Sequence, residues 1–408
     1  MTLASPTPSA GGSERPRWGD WPGHEGDPFD GGPFRWARPP LPLAPAPEGR
    51  ALARGLVTVL VVWAPLAILS AAQGFAVGNS PAESFLRDYV AYGRYLVAAP
   101  VLASAGILIL PMLSRVVRHF RDAEMIWTDE IPVYEALVTS TRRLVASRWV
   151  DVTILVLAYA VTLRTSASLY PPGVSSWVAP LGPDGVTHLS VAGWWRTLVS
   201  QPLFNSLVAV WIWRQIVWIR FLWRVTRLDL RLVAAHPDRL AGLRFVVIPV
   251  RYSSLVAFGF SAIGASSIAH SVLVNGQPLG SFEYLIGVQT FGILVLLCGP
   301  LLILTPLLLR VHAWGTFNYG RLAAEVGHHF QRRWLGNPVS PDSLGAPDFS
   351  ATGDLYATAS NVSAINLTAL DFRTVGSILV ASLLPYVPIV LATNPLDEIL
   401  EFLLKAFV

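Results

Sequence analysis

The sequence predicts an all-α fold: a polytopic bundle of six or seven transmembrane helices with a small cytoplasmic helical cap. Three observations carry this. The chain of 408 residues is 53% hydrophobic and only 14% charged, with a mean hydropathy of +0.49, whereas an ordinary soluble domain is about one-quarter charged. Seven apolar stretches, at 56–77, 95–113, 149–169, 203–223, 252–274, 285–309 and 374–393, are each long enough to cross a ~30 Å hydrocarbon layer. Finally, the arginines crowd into every second gap between these stretches.

The charge alternation sets the orientation. Arg15, Arg17, Arg35, Arg38, Arg50 and Arg54 precede the first stretch. Arg115, Arg118, Arg121, Arg142, Arg143 and Arg148 separate the second from the third. Arg224, Arg227, Arg231, Arg239, Arg244 and Arg251 follow the fourth, and Arg310, Arg321, Arg332, Arg333 and Arg373 follow the sixth. The other gaps hold Arg87 and Arg94, then Arg196, then none. By the positive-inside rule the N-terminus and the loops 114–148, 224–251 and 310–373 are cytoplasmic.

Taken in order, residues 1–50 form a Pro/Gly-rich cytoplasmic tail, expected to be disordered because Pro removes backbone donors and Gly adds chain entropy. Its aromatics (Trp18, Trp21, Phe29, Phe34, Trp36) suit anchoring at the membrane interface. Residues 51–309 form a six-span bundle. The outer loop 170–202, with Trp177, Trp194 and Trp195, is expected along the outer interface. The segment 310–373 is a cytoplasmic loop with one amphipathic helix, from Phe317 to Trp334, and a loop-like run from Gly336 to Gly353. Residues 374–408, with Pro385 and Pro388, form either a seventh crossing or a re-entrant hairpin; the crossing is the expectation.

Several function classes are excluded on residue grounds. The basic residues flank apolar spans and form no single stripe, which argues against nucleic acid. Cys298 is the only cysteine, so no disulfide framework or thiolate cluster is available. No Gly-rich phosphate loop, HExxH or nucleophile elbow occurs. The chain is therefore read as a non-enzyme without a cofactor.

The fourth stretch carries the costliest residues. Arg214 lies near its middle and Arg220 deeper toward the cytoplasm, and a cation at such depth costs at least ~2.5–3.5 kcal/mol unless it is housed. At about 100° per residue, Arg220, Arg224, Arg227 and Arg231 share one helix face. Asp151 is level with Arg220 and is the expected acid for it. Tyr159, Gln289 or backbone carbonyls are the expected partners of Arg214. Along an ion pathway or in intramembrane pairing, these five residues form the candidate set.

His236-Pro237-Asp238 reads as a helix stop, since Pro237 disfavours helix at His236 and Asp238 can cap the next turn. Glu325, His328 and His329 are candidate metal ligands, with His312 or His119 as a possible third; a solvated helix face is the blander reading. Ser261, Ala265 and Ala269 form a small-residue ridge on the fifth stretch, suited to packing within the bundle or to a homo-oligomer contact.

The segments WRVTRLDLRLVAAHPDRLAGLRF, TFNYGRLAAEVGHHFQRRW and LLPYVPIVLATNPLDEIL resemble an uncharacterised group of bacterial multi-span membrane proteins with an HPD-x-x-x-GL loop. The likeness covers most of 83–408 and implies the fold class without an activity. Lys405 is the only lysine among the 30 basic residues, which suits a GC-rich bacterial genome. The sequence thus points to a multi-pass protein of the bacterial inner membrane that contacts the lipid bilayer. It reads as a scaffold or signalling component acting through its Arg-rich cytoplasmic loops, or alternatively as a channel or transporter with an Arg-lined path along the fourth span.

Overall fold

The computed structural model describes residue 29 and residues 47–78, 83–169, 175–335 and 347–393. Among these, every regular element is helical, apart from two isolated bridges, Ile126 with Leu230 and Leu181 with Thr187. Among the described residues, seven helical rods are long and apolar enough to cross a membrane. Spans 1 to 7 are Pro47–Ala72, Tyr89–Asp122, Ile131–Ser166, Val191–Val225, Arg244–Leu273, Leu279–Trp334 and Phe372–Thr393. The chain is therefore an all-α bundle and a multi-pass membrane protein.

Spans 2, 4 and 5 form the centre. Span 1 lies along span 2; span 5 touches spans 2, 6 and 7; span 4 touches spans 2, 3 and 6. Span 3 packs chiefly on span 4 and leaves Val152, Val156, Leu157 and Leu163 exposed, an apolar face that only lipid or another apolar surface can cover. Span 7 lies along span 5. Ser261 donates to the Ser382 carbonyl, while Tyr386 and Ile389 pack with Ala265, Ile268, Ala269 and Val272. The ridge of Ser261, Ala265 and Ala269 is thus occupied within the chain. The 22 residues of span 7 are helical throughout, with one 3-10 turn at Leu384–Tyr386 around Pro385. Residues 394–408 lie outside the described residues.

Several segments expected as loops are helical. The helix Ala99–Asp122 runs well past its apolar stretch, and Ile131–Val145 forms a helix where a loop was expected. The amphipathic helix of the sixth gap begins at Thr305 and runs unbroken to Trp334. Within the expected loop 336–353, residues from Pro347 onward belong to a helix, Pro347–Ser363. Of the expected tail 1–50, only Phe29 and residues 47–50 are described, and 47–50 belong to the helix Pro47–Val62 at the start of span 1.

Prolines inside the spans direct the cross-links between them. A proline cannot donate to the carbonyl four residues earlier, and an orphaned carbonyl in an apolar bundle is costly. Pro65 frees the Val61 carbonyl, which accepts from Trp195 Nε1 at 3.2 Å. Pro202 frees Leu198, which accepts from the Tyr159 hydroxyl at 2.8 Å. Pro300 frees Leu296, which accepts from Gln215 Nε2 at 2.8 Å. Each defect in one helix is thereby filled by a side chain from another, which fixes both rotation and height of the two spans.

Small residues set the closest approaches. A Cβ on Gly93 of span 2 would overlap Ser266 and lie 3.1 Å from the Ala262 carbonyl of span 5. We expect Gly93→Ala to destabilise the fold by about 1–3 kcal/mol through overpacking, read as a lower thermal midpoint in detergent. Gly292→Ala is the control, since its Cβ would meet nothing within 4 Å; equal midpoints for the two variants would refute the close approach.

Candidate functional site

Arg214 is 7% exposed, in the middle of span 4. Its guanidinium carbon lies 5.1 Å from the centre of the Trp211 ring, and such a contact stabilises a desolvated cation by up to about 2 kcal/mol. Trp211 is held in turn by donating Nε1–H to the Leu102 carbonyl of span 2 at 2.9 Å. On the facing helix Gly106 makes room: a Cβ there would sit 3.3 Å from Arg214 Nη1. Beside the guanidinium is a cavity of about 20 Å³, lined by Ile109, Leu113, Trp211, Arg214, Gln215, Trp218, Pro249, Val250, Ser253 and Leu297. That is space for one water-sized species.

Two of the partners expected for Arg214, Tyr159 and Gln289, hydrogen-bond elsewhere. Tyr159 caps the Leu198 carbonyl on the outward half of span 4. Gln289 donates to the Phe260 carbonyl at 2.9 Å and accepts from the Tyr386 hydroxyl at 2.9 Å, joining spans 5, 6 and 7. The proposed pairing of Arg220 with Asp151 is also overturned. Arg220 Nη2 donates to Ser140 Oγ at 2.8 Å, and among the described residues Asp151 forms no ion pair. The helix Ile131–Val145 packs on span 4 and brings Ser140 to it, and Tyr134 on the same helix donates to the Val117 carbonyl.

Two further arginines of the stripe, Arg227 and Arg231, make contacts at the basic end. Arg227 lies 3.6 Å from the centre of the Trp223 ring. Arg231 lies 4.8 Å from that of Trp127 and 3.7 Å from Glu124 Oε2, and its backbone N–H donates to the Met125 carbonyl at 2.8 Å. Glu130 Oε2 accepts from the Asp229 N–H at 2.7 Å. These contacts tie the segment after span 2 to the segment after span 4.

Asp238 organises the turn that follows. Its carboxylate accepts from the backbone N–H groups of Leu240 (2.8 Å), Gly242 (3.1 Å) and Arg244 (3.1 Å), and His236 Nδ1 lies 2.9 Å from Oδ1. Burial raises its pKa, but these donors outweigh burial and hold it below the usual carboxylate value. The turn places Arg239, Ala241 and Gly242 in the left-handed region, at φ 60°, 54° and 96°. The Arg239 carbonyl accepts from Asn366 N–H at 2.8 Å. Asp371 caps span 7 by accepting from Thr374 N–H at 2.7 Å, with Arg251 at 3.1 Å and Arg244 at 3.7 Å. Burial raises its pKa too, and Thr374 and the two arginines bring it below the usual value.

The metal candidates do not converge. Among the described residues no three His, Cys, Asp or Glu side chains come together. His312 Nδ1 faces the Val362 carbonyl at 3.1 Å and His119 packs against Phe245, so neither reaches Glu325, His328 or His329. The helix bearing these three packs on Pro347–Ser363, with Gly315 backed by Ala234 and Val362. At the other end, Trp177 is buried rather than interfacial: its ring meets Phe85 edge-on and its Nε1 donates to Asp88 at 2.9 Å.

Two features escaped the sequence reading. Phe29 of the tail is fully buried, 6.0 Å from Trp218 and 6.5 Å from Phe221 between ring centres. A buried network links Arg196, Tyr95, Gln201, Asn205 and Thr162 between spans 2, 3 and 4, with Tyr95 donating to Gln201 at 2.5 Å and Asn205 donating to Thr162 at 3.1 Å. Tyr95 and Arg196 each lie in a π-helical turn, Tyr92–Ala98 and Arg196–Ser200, a conformation no hydropathy pattern reveals. No protein family, curated protein or solved structure matches the chain.

Proposed function

We propose that the protein is a non-catalytic scaffold or signalling component of the bacterial inner membrane, with its N-terminus and basic end in the cytoplasm. The observation that carries the reading is the order of the basic end. Asp238, Asp371, Glu124 and Glu130 hold its segments in one arrangement, and the helix Thr305–Trp334 projects from it with Trp314 and Phe317 exposed between Arg310 and Arg321. A surface with fixed shape and exposed aromatic and guanidinium groups suits partner recognition. Sidedness rests on the positive-inside rule, which 23 of the 30 basic residues follow.

Photo-crosslinking residues placed in living cells at Trp314, Phe317 and Tyr356 test this reading, with the exposed Tyr284 at the other end as reference. Discrete adducts are expected from the basic end only, and they should vanish when Asp238→Ala loosens the turn. Adducts no stronger than those at Tyr284 would sink it.

A second reading, an anion pathway along span 4, is favoured by the cavity beside Arg214. At about 20 Å³ that cavity holds a single water-sized species, so conduction requires a more open state. Anion flux in proteoliposomes that Arg214→Gln abolishes without loss of fold would support it.

A further inference from the structure

We propose that the basic end of span 4 binds the headgroup of one anionic glycerophospholipid, whose acyl chain lies along the same span. This rests on neither reading above, since a bound lipid requires neither a protein partner nor flux. Two neighbouring stripes on one helix point to it. Counted from Arg214 at about 100° per residue, Ile219, Ile212, Trp223 and Ile216 fall at about 140°, 160°, 180° and 200°. All four are exposed. On the same count Arg227, Arg220 and Arg224 follow at about 220°, 240° and 280°, so guanidinium groups border an uncovered apolar strip. Arg214 and its cavity belong to another side of the helix.

The arginine edge is short of negative charge. Arg231, one turn beyond it, has both Glu124 and the Trp127 ring. Among the described residues, Arg227 has only the Trp223 ring, Arg220 only the Ser140 hydroxyl, and the exposed Arg224 no polar contact. Arg220 and Arg224 are one turn apart and repel each other. Ser140 accepts from Arg220, and its own proton goes to no described residue. A phosphodiester answers each of these features. Its negative oxygens accept from guanidinium groups and from a hydroxyl, and its charge relieves the repulsion between the two arginines. The apolar strip selects the source of that phosphate. Ile212 lies about 18 Å outward of Arg224 at 1.5 Å per residue, and a lipid sends its chains that way while its headgroup stays at the basic end. Free phosphate leaves the strip uncovered. A zwitterionic lipid brings a cation of its own to a surface already rich in cations, so the net-negative headgroup is favoured.

The test uses the full-length protein in a neutral detergent, titrated with dioleoylphosphatidylglycerol or dioleoylphosphatidylcholine while retained lipid is counted by native mass spectrometry. Phosphatidylglycerol is expected to saturate one site at a concentration about tenfold or more below that for phosphatidylcholine. Arg224→Gln removes an exposed side chain without polar contacts, so the fold is kept. It should raise the half-saturating concentration of phosphatidylglycerol by about fivefold, as expected for one guanidinium at an anionic headgroup. Arg310→Gln removes an exposed arginine of span 6 and should leave the half-saturation unchanged. Equal retention of the two lipids would overturn the proposal. So would equal losses in the two variants, since the protein would then be reading bulk charge. Displacement of the lipid by an equal concentration of inorganic phosphate would also overturn it, because the apolar strip would then contribute nothing. None of these measurements involves a protein partner or flux, so failure of either earlier reading leaves this result distinct.

Discussion

Asp238→Ala is expected to destabilise the basic end by about 3 kcal/mol, because one carboxylate satisfies three backbone donors and hydrogen bonds to a charged group contribute roughly 1.5–3 kcal/mol each. The effect is smaller than that sum for a structural reason. Arg239 and Ala241 occupy left-handed backbone, which costs about 1–2 kcal/mol per residue. Without the carboxylate this turn relaxes, and the strain released offsets part of the loss. The damage should be local, with faster proteolysis around 236–244, and it should reach span 7 because Arg244 bridges Asp238 and Asp371. Asp238→Asn should fall between, since its amide nitrogen adds a donor where donors already converge.

The pH dependence follows from the direction of the shift. Asp238 and Asp371 both have lowered pKa values in the folded protein. Their stabilisation is therefore complete above the unfolded value of about 3.9 and is lost as pH falls through it toward the folded values. Thermal midpoints should drop between about pH 5 and pH 3 in the parent protein and drop less in Asp238→Ala, which has already lost one of the two groups. Parallel curves would show that the carboxylate is not linked to folding.

The seven rods were legible because crossing a membrane demands an apolar run of known length. The pairing of their polar groups was not. Arg220 was matched to Asp151 by height alone, whereas a contact also needs the right azimuth and a correct account of what lies between. Here a helix, Ile131–Val145, occupies ground that the charge pattern marked as loop, and it offers Ser140. Its buried positions, Tyr134, Leu137, Thr141 and Val145, recur at helical spacing and could have revealed it. Prolines gave half of a second signal. Pro65, Pro202 and Pro300 announce which carbonyls are freed, but only the packed bundle shows that Trp195, Tyr159 and Gln215 take them. Asp238 was readable as a local stop, whereas its three-donor turn depends on left-handed residues whose identities, Arg and Ala, give no hint of it.

Phe29→Ala is expected to uncover Trp218 and Phe221 and open the basic side of the bundle. Trp218 and Phe221 stack at 5.7 Å, and Phe29 meets both edge-on. Arg214, Trp218 and Phe221 follow one another at helical spacing on one face of span 4, so Phe29 packs about 6–10 Å below the guanidinium at 1.5 Å per residue. Truncating a buried Phe in a core typically costs about 3–5 kcal/mol. Phe29 lies outside the seven spans, so the loss is bounded by the free energy with which its ring docks and leaves the packing between the spans in place. The thermal midpoint should therefore fall by less than a core substitution implies, while solvent access should rise sharply. Cys298 reports this directly. It is the only cysteine, it is buried in the same core as Phe29, and its neighbour Leu297 lines the Arg214 cavity. A small maleimide should label Cys298 at least about tenfold faster in Phe29→Ala, equivalent to roughly 1.4 kcal/mol of lost protection, and near the parent rate in Phe29→Leu. Leu137→Ala removes a buried side chain of the same core on a helix, and serves as a destabilised control. Acceleration in that control equal to the acceleration in Phe29→Ala would mean that general loosening, and not the loss of a plug, exposes the thiol.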